Sequence, residues 1–184
     1  MTKSQRFAPA LAAPLFAVLT ACAHIPQERG QQDAFISQAN STVQMMMARD
    51  PSLRDLLERA AGYAVFPSVG EVAVVAVGGV GGVGVVYEQG QPIGFARIRE
   101  ATFGPQLGGQ SFSQIIVFEN RAALDRVKAG DFDLTAGIEG TVLGWGAGAR
   151  TRFQNGVAVI VSSEKGLIAG ATIGGQSIRF EPLA

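Results

Sequence analysis

Five glycines fall within the seven positions from Gly78 to Gly84, inside the run VAVVAVGGVGGVGVVYEQGQPIG at 72–94. A backbone this bare can be a phosphate-binding turn, a membrane span or a closely packed piece of sheet, and each implies a different fold. Gly79, Gly81 and Gly84 spell the G-x-G-x-x-G of a dinucleotide-binding turn. That turn works because a helix starts within the glycines and directs its free N–H groups at the pyrophosphate. Here the glycines lead into VVYEQGQPIG, two strand-like pieces around a turn, so no nucleotide site is expected. As a membrane helix the run also fails, because its uncharged stretch is shorter than the roughly 20 residues required. What remains is a strand, a glycine-bent turn or bulge, and a returning strand.

Two further segments repeat the theme. GTVLGWGAG spaces Gly140, Gly144 and Gly148 by four, and GLIAGATIG does the same with Gly166, Gly170 and Gly174. Gly144, Gly146 and Gly148 also step by two, which lines them up on one face of a strand. These rows are expected to mark tight packing or strong sheet curvature, with a ligand groove as the alternative.

Around the glycines the chain alternates in character. From Gln31 to Arg49, apolar residues recur at Phe35, Ala39, Val43 and Met46, one stripe of a helix. The Met45–Met47 cluster reads as core filling or as a sticky partner surface. A second helix is expected with Asp50 as N-cap, Pro51 in the first turn, Leu53, Leu56 and Leu57 inward, and Gly62 at its end. From there on short Val- and Ile-rich segments dominate: YAVF stopping at Pro67, EVAVVAV, GVGVVYE, PIGFARIRE, QSFSQIIVFE, RTRF, GVAVIVSS and SIRFEP. The loops between them are too short for crossover helices, which predicts antiparallel neighbours. One helix interrupts, with Asn120 as cap, Ala123, Leu124 and Val127 inward and Gly130 after its end. The expected fold class is α+β: a glycine-rich curved antiparallel sheet or partial barrel with two N-terminal helices and one inserted helix.

The N-terminus carries Lys3 and Arg6 before an uncharged apolar stretch from Phe7 to Leu19, the pattern of an export signal. It ends in Leu19-Thr20-Ala21-Cys22, whose cysteine is the only one in the chain and therefore has no disulfide partner. These four residues resemble a bacterial lipobox, which implies cleavage before Cys22 and acylation of it. Ala23 in place of an aspartate resembles the outer-membrane sorting choice. The expected layout is a signal peptide at 1–21, a lipidated tether at 22–32 and one domain at 33–184. The 15 basic and 15 acidic residues balance, so nothing points to nucleic acid.

Chemistry-bearing residues are sparse. The single histidine, His24, stands two positions from Cys22, so a metal set or a serine–histidine nucleophile is not expected, and neither is a cofactor. Asp131 and Asp133 sit in GDFDL, where solvated or capping roles are commoner than acid–base work. Arg97 and Arg99, and Arg150 and Arg152, each step by two and so share a strand face. If the pairs come together, they make a basic patch able to hold lipid phosphates. The plainer alternative is a solvated face balanced by Glu100.

In order along the chain, LLERAAGYAVFP (56–67), GGVGGVGVV, GPQLGGQSFSQIIVFEN (104–120), GDFDL and EKGLIAGATIGGQSI are similar to the successive blocks of the SYLF lipid-binding domain family. The resemblance runs from about Leu53 to the end. It implies an α+β domain that engages membrane phospholipid or another amphipathic component, without catalysis, in a bacterial envelope lipoprotein facing the periplasm. Its phosphoinositide and actin partners in eukaryotes are not expected to transfer. The alternative is a structural or interaction lipoprotein with no lipid-binding site.

Overall fold

The computed structural model describes residues 25–74, 77–103, 108–130, 132–134, 138–142, 146–163, 172–173 and 176–183. Four helices and nine strands follow one another as α1 (Arg29–Arg49), α2 (Ser52–Arg59), β1 (Gly62–Val74), β2 (Val77–Glu88), β3 (Gln91–Phe103), β4 (Gly108–Phe118), α3 (Arg121–Lys128), β5 (Phe132–Asp133), β6 (Ile138–Val142), α4 (Ala147–Arg150), β7 (Val157–Ser163), β8 (Thr172–Ile173) and β9 (Ser177–Pro182). The sheet order is β5-β9-β3-β2-β1-β4-β7-β6-β8. Its first seven strands are antiparallel neighbours, so the α+β class with a curved antiparallel sheet holds. One pairing departs from expectation: β6 lies parallel to β7, because the connection between them contains α4 and is long enough to cross over.

The sheet is curled. β4 and β9 are separated by β3, β2 and β1, roughly 19 Å across a flat sheet. Yet Gln114 on β4 donates its side-chain amide to the side-chain oxygen Oε1 of Gln176, just before β9, at 3.2 Å. Inside the curl, Phe66, Val86, Ile98, Ile116, Val159 and Ile178 from six strands join one apolar cluster, which α3 covers with Ala123, Leu124 and Val127. The opposite face is packed by α1 and α2 over Val65, Val85, Phe95, Ile115, Val117 and Ile160. All the buried apolar residues of both clusters lie between Ile25 and Ile178, so residues 23–184 carry the whole described core.

α1 crosses the strands of this second face. Near its start Phe35 meets Phe95 of β3, with ring centroids 6.1 Å apart; Asn40 accepts a hydrogen bond from the Tyr87 hydroxyl of β2 at 2.7 Å; and at its end Arg49 donates to Ser162 of β7 at 3.3 Å. The helical stripe is as spaced in the sequence, with Ala39, Val43 and Met46 buried. The methionines divide: Met46 is fully buried, Met47 packs at the margin of the core and Met45 is exposed.

The glycine run is where expectation and structure differ most. Gly78 to Gly84 lie within a single uninterrupted strand, β2, whose register continues against both β1 and β3. Val74 of β1 is already paired with Val77 of β2 ahead of the run, and no helix starts among the glycines. β1 likewise does not stop at Pro67 but passes through it, with its register shifting between Val65 and Ser68. A bulge suits a residue that cannot donate to the ladder, and Ser113 donates its hydroxyl to the Pro67 carbonyl at 2.8 Å. Gly82 and Gly84 lie beneath the bulge. A Cβ on Gly84 would stand 2.6 Å from the Val65 oxygen and from the Phe66 ring, and one on Gly82 2.9 Å from the Ser68 oxygen. Glycine is required there by close approach.

Two smaller expectations also give way. Gly62 opens β1 instead of ending α2, and a Cβ on it would stand 2.5 Å from the Tyr87 oxygen of the paired strand. Gly146 and Gly148 are not on a strand: Gly146 is left-handed at φ 73° and precedes α4, which contains Gly148. At α3 the reading of the sequence holds, with the Asn120 side chain accepting from the Ala123 N–H and Gly130 at φ 93°.

Candidate functional site

Of the four arginines expected to form a patch, the structure keeps one pair and disperses the other. Arg97 and Arg99 lie on β3 and share the α1 face of the sheet with Phe95. Arg150 is the last residue of α4 and Arg152 lies in the segment after it, so the second pair shares no strand face. α4 packs on α2, and the adjoining β7 is separated from β3 by three strands in the sheet order. The physical reason is Asp50. Its buried carboxylate accepts from the N–H groups of Gly148 at 2.8 Å and Gly146 at 3.2 Å, and from the backbone N–H and hydroxyl of Ser52 at 3.1 and 2.7 Å. Those donors reward a helical turn at 147–150 over a strand.

The same contacts set the charge state of Asp50. Burial alone would raise the carboxyl above its ordinary value, but the hydrogen bonds from Ser52, Gly148 and Gly146 outweigh it and hold the group below that value. The Ser52 hydroxyl in turn accepts from the Ala149 N–H at 3.1 Å. One carboxylate thus caps α2 and fastens α4 to it.

In place of the lost pair, the fold supplies Arg179. It stands on β9 directly opposite Arg97, with Ser177 opposite Arg99. Arg99 and Arg179 are exposed and Arg97 is half-buried, with its Nε enclosed and lacking an acceptor among the described residues. SIRFEP reads as a strand from sequence alone, but its pairing with β3, across about 80 residues of chain, has no local signal.

On the β2 side of Arg99, the same face is bare. Gly81 is opposite Arg99, Gly70 is opposite Gly81, and Gly79 follows on β2. A Cβ at Gly70, Gly79 or Gly81 would meet nothing nearer than 3.5 Å among the described atoms, in contrast to Gly82 and Gly84 on the inner face. Ser68 and Ser111 continue the strip, joined by a 2.9 Å hydrogen bond between their hydroxyls.

A second feature is a cleft of about 660 Å³ between α1, α2 and the β2–β3 turn, lined among others by Asn40, Met47, Arg54, Leu57, Glu58 and Tyr63. Tyr63 stacks on Tyr87 with ring centroids 4.9 Å apart, and burial raises both phenols above their ordinary value, so both stay neutral hydrogen-bonding groups at physiological pH. Next to Tyr87, Glu88 pairs with Lys128 and Arg121 of α3; the Lys128 hydrogen bond and the two positive charges outweigh burial and lower its carboxyl.

Leu19, Thr20, Ala21, Cys22 and His24 lie outside the described residues, as do Asp131 and the glycines at 166–174. Asp133 lies exposed on β5. Among the described residues no helix is long and apolar enough to cross a membrane, and no three His, Cys, Asp or Glu side chains gather as metal ligands.

Residues 99–182, from late β3 to the end of β9, match the family described as Ysc84, Las17-binding protein actin regulator. Beta cell expansion factor A of Aeromonas veronii is 27% identical over 144 residues, covering 78% of this chain and 54% of the relative. The chain therefore spans about half the length of that relative.

Proposed function

We propose, from the match of residues 99–182 to the Ysc84 family and the resemblance to the SYLF domain, that this chain is a non-catalytic, lipid-binding domain held on a bacterial membrane by an acylated Cys22, with the outer membrane, periplasmic side, as its place. Bundled with the anchor, the domain works as a surface that meets phospholipid or another amphipathic envelope component. The observation that carries this reading is Ile25, only 3% exposed and packed into the cluster beneath α1 and α2. Ile25 stands three residues after Cys22, and three residues of chain reach at most about 10 Å. A lipidated Cys22 would hold the α1 face within that distance of the acyl chains, with no long tether to let the domain roam.

Acylation contributes roughly 0.8 kcal/mol per buried methylene, enough with several chains for permanent attachment. The lone histidine and lone cysteine, two residues apart, give the chain little with which to do acid–base or metal chemistry. Two measurements test the reading. The mass of the mature protein is expected to show cleavage before Cys22 and added acyl chains, and Cys22→Ser is expected to abolish both. Residues 23–184, free of the anchor, are expected to float with phospholipid vesicles. A domain that stays in the soluble fraction with every phospholipid offered overturns the lipid-binding reading and leaves an anchored structural or interaction module.

A further inference from the structure

We propose that Arg97, Arg99 and Arg179 form a site for the phosphate groups of anionic phospholipid headgroups, on the part of the sheet that α1 leaves open. This rests on the reading of the domain as membrane-associated and names the side chains that would meet the headgroups.

Three observations lead here. First, Arg97 and Arg179 are in direct cross-strand register, with Arg99 two residues along the same face. Like charges directly opposite destabilise a strand pair, and among the described residues none of the three arginines forms an ion pair. Among the described residues the acids on that face flank the arginines without pairing with them: Glu181, opposite Phe95, is diagonal to Arg97, and Asp133, opposite Ser177, is diagonal to Arg179. Second, Arg97 is half-buried with its Nε enclosed and unpaired. Its guanidinium is partly stripped of water without a protein acceptor in return, which strengthens its attraction for an external anion. Guanidinium forks match phosphate oxygens two at a time, and two forks facing each other across adjacent strands can hold one phosphate between them. Third, the floor beside them is glycine where packing among the described atoms does not ask for it. A Cβ on Gly81, opposite Arg99, would find its nearest atom 3.8 Å away, and one on Gly79 3.5 Å away. The absent side chains leave open backbone beside the arginines, room for a headgroup lying flat on the sheet.

The proposed anchor would attach on the same side. α1 starts over β3, where Phe35 meets Phe95, two residues from Arg97, and Ile25 lies in the same apolar cluster as Phe95. A lipidated Cys22 would therefore bring this face, and not the α3 face, to the bilayer.

The test uses residues 23–184 and vesicles of phosphatidylcholine with or without phosphatidylglycerol, at fixed ionic strength. The wild type is expected to float with the anionic vesicles and not with pure phosphatidylcholine. A basic residue near an anionic bilayer contributes about fivefold, so R97Q/R179Q is expected to weaken binding roughly 25-fold. The control R150Q/R152Q removes the same charge from α4 and its flank and is expected to change it less than threefold. Equal losses in the two double variants reduce the effect to net charge and overturn the site. So does a triple variant R97Q/R99Q/R179Q that floats as well as the wild type, while leaving the membrane reading standing. A wild type that never floats removes both. Inorganic phosphate, followed by the amide signals of Arg97, Arg99 and Arg179, separates the source: phosphate binding in a wild type that anionic vesicles do not capture overturns the headgroup assignment. Circular dichroism of each variant is expected to match the wild type, since Arg99 and Arg179 are exposed and Arg97 makes no hydrogen bond among the described residues.

Discussion

Replacing Asp50 by alanine removes the acceptor of one fully buried N–H, Gly148, and of two partly exposed ones, Gly146 and Ser52. A buried donor left unpaired costs about 1–3 kcal/mol and a lost helix cap about 1, while water can reach the other donors, so the total is about 3 kcal/mol. For a domain of this size, that lowers the melting temperature by roughly 6–12 °C. Gly148→Ala attacks the same junction from the other side. Its Cβ would stand 2.7 Å from the Leu53 nitrogen and from the Ser52 carbonyl carbon and oxygen, all backbone, so α4 must move off α2 at a cost of about 1–3 kcal/mol. If both act by releasing α4, the double variant costs less than the sum of the singles by about 1–2 kcal/mol, measurable by urea unfolding of all four proteins. Acid supplies a further check. Because the carboxyl of Asp50 is held below its unfolded value of about 4, its stabilisation is complete above that pH and is lost as pH falls through the folded value. The gap between wild type and Asp50→Ala is therefore widest at neutral pH and closes in acid. Additive costs, or a gap that does not narrow by pH 2, would refute the idea that one carboxylate joins the two helices.

The two classes of glycine make opposite predictions. Gly84→Ala puts a methyl into the Val65 oxygen and the Phe66 ring and is expected to cost about 2–3 kcal/mol, whereas Gly81→Ala makes only an ordinary contact with the Ile98 oxygen at 3.8 Å and is expected to stabilise by up to about 1 kcal/mol, both read by thermal unfolding. Asn120→Ala, which removes the 3.0 Å bond to the Ala123 N–H, is expected to cost about 1 kcal/mol, with Asn120→Asp restoring it. Tyr87→Phe loses the hydroxyl bond to Asn40 under α1 and is expected to cost about 1 kcal/mol by the same measurement. Glu88→Gln is expected to lower stability by up to about 1 kcal/mol at pH 7; since the Glu88 carboxyl is lowered by Lys128 and Arg121, that difference is lost as pH falls below the ordinary glutamate range.

What the sequence made legible was local. The α1 stripe, the Asn120 cap and the β9 segment SIRFEP depend on neighbours a few residues away, and each is where periodicity or capping chemistry put it. What it hid was pairing. Arg179 enters the candidate site through a strand contact with β3, and Asp50 reaches Gly146 and Gly148 almost a hundred residues on; neither leaves a periodic trace. The misplacement of Arg150 and Arg152 follows from the second of these. Stepping by two is what a strand would show, but a carboxylate arriving from α2's cap pays the orphan N–H groups of a short helix instead. Pro67 reads as a stop because proline cannot donate to a ladder, yet the bulge and the Ser113 hydroxyl accommodate it without ending the strand.

The glycines of β2 show why a bare sequence pattern carries two meanings at once. Side chains alternate across a strand, so GGVGGVG distributes its glycines over both faces of the sheet. On the inner face Gly82 and Gly84 make room for the β1 bulge, and with it for the curl that brings Gln114 within reach of Gln176. On the outer face Gly79 and Gly81 make room for nothing among the described atoms. A protein gains stability by filling such positions with β-branched residues, and the open ones border Arg99 and lie on the face from which Ile25 leads toward Cys22. Half of the run is thus explained by how the domain folds, and the other half by what is expected to rest on it.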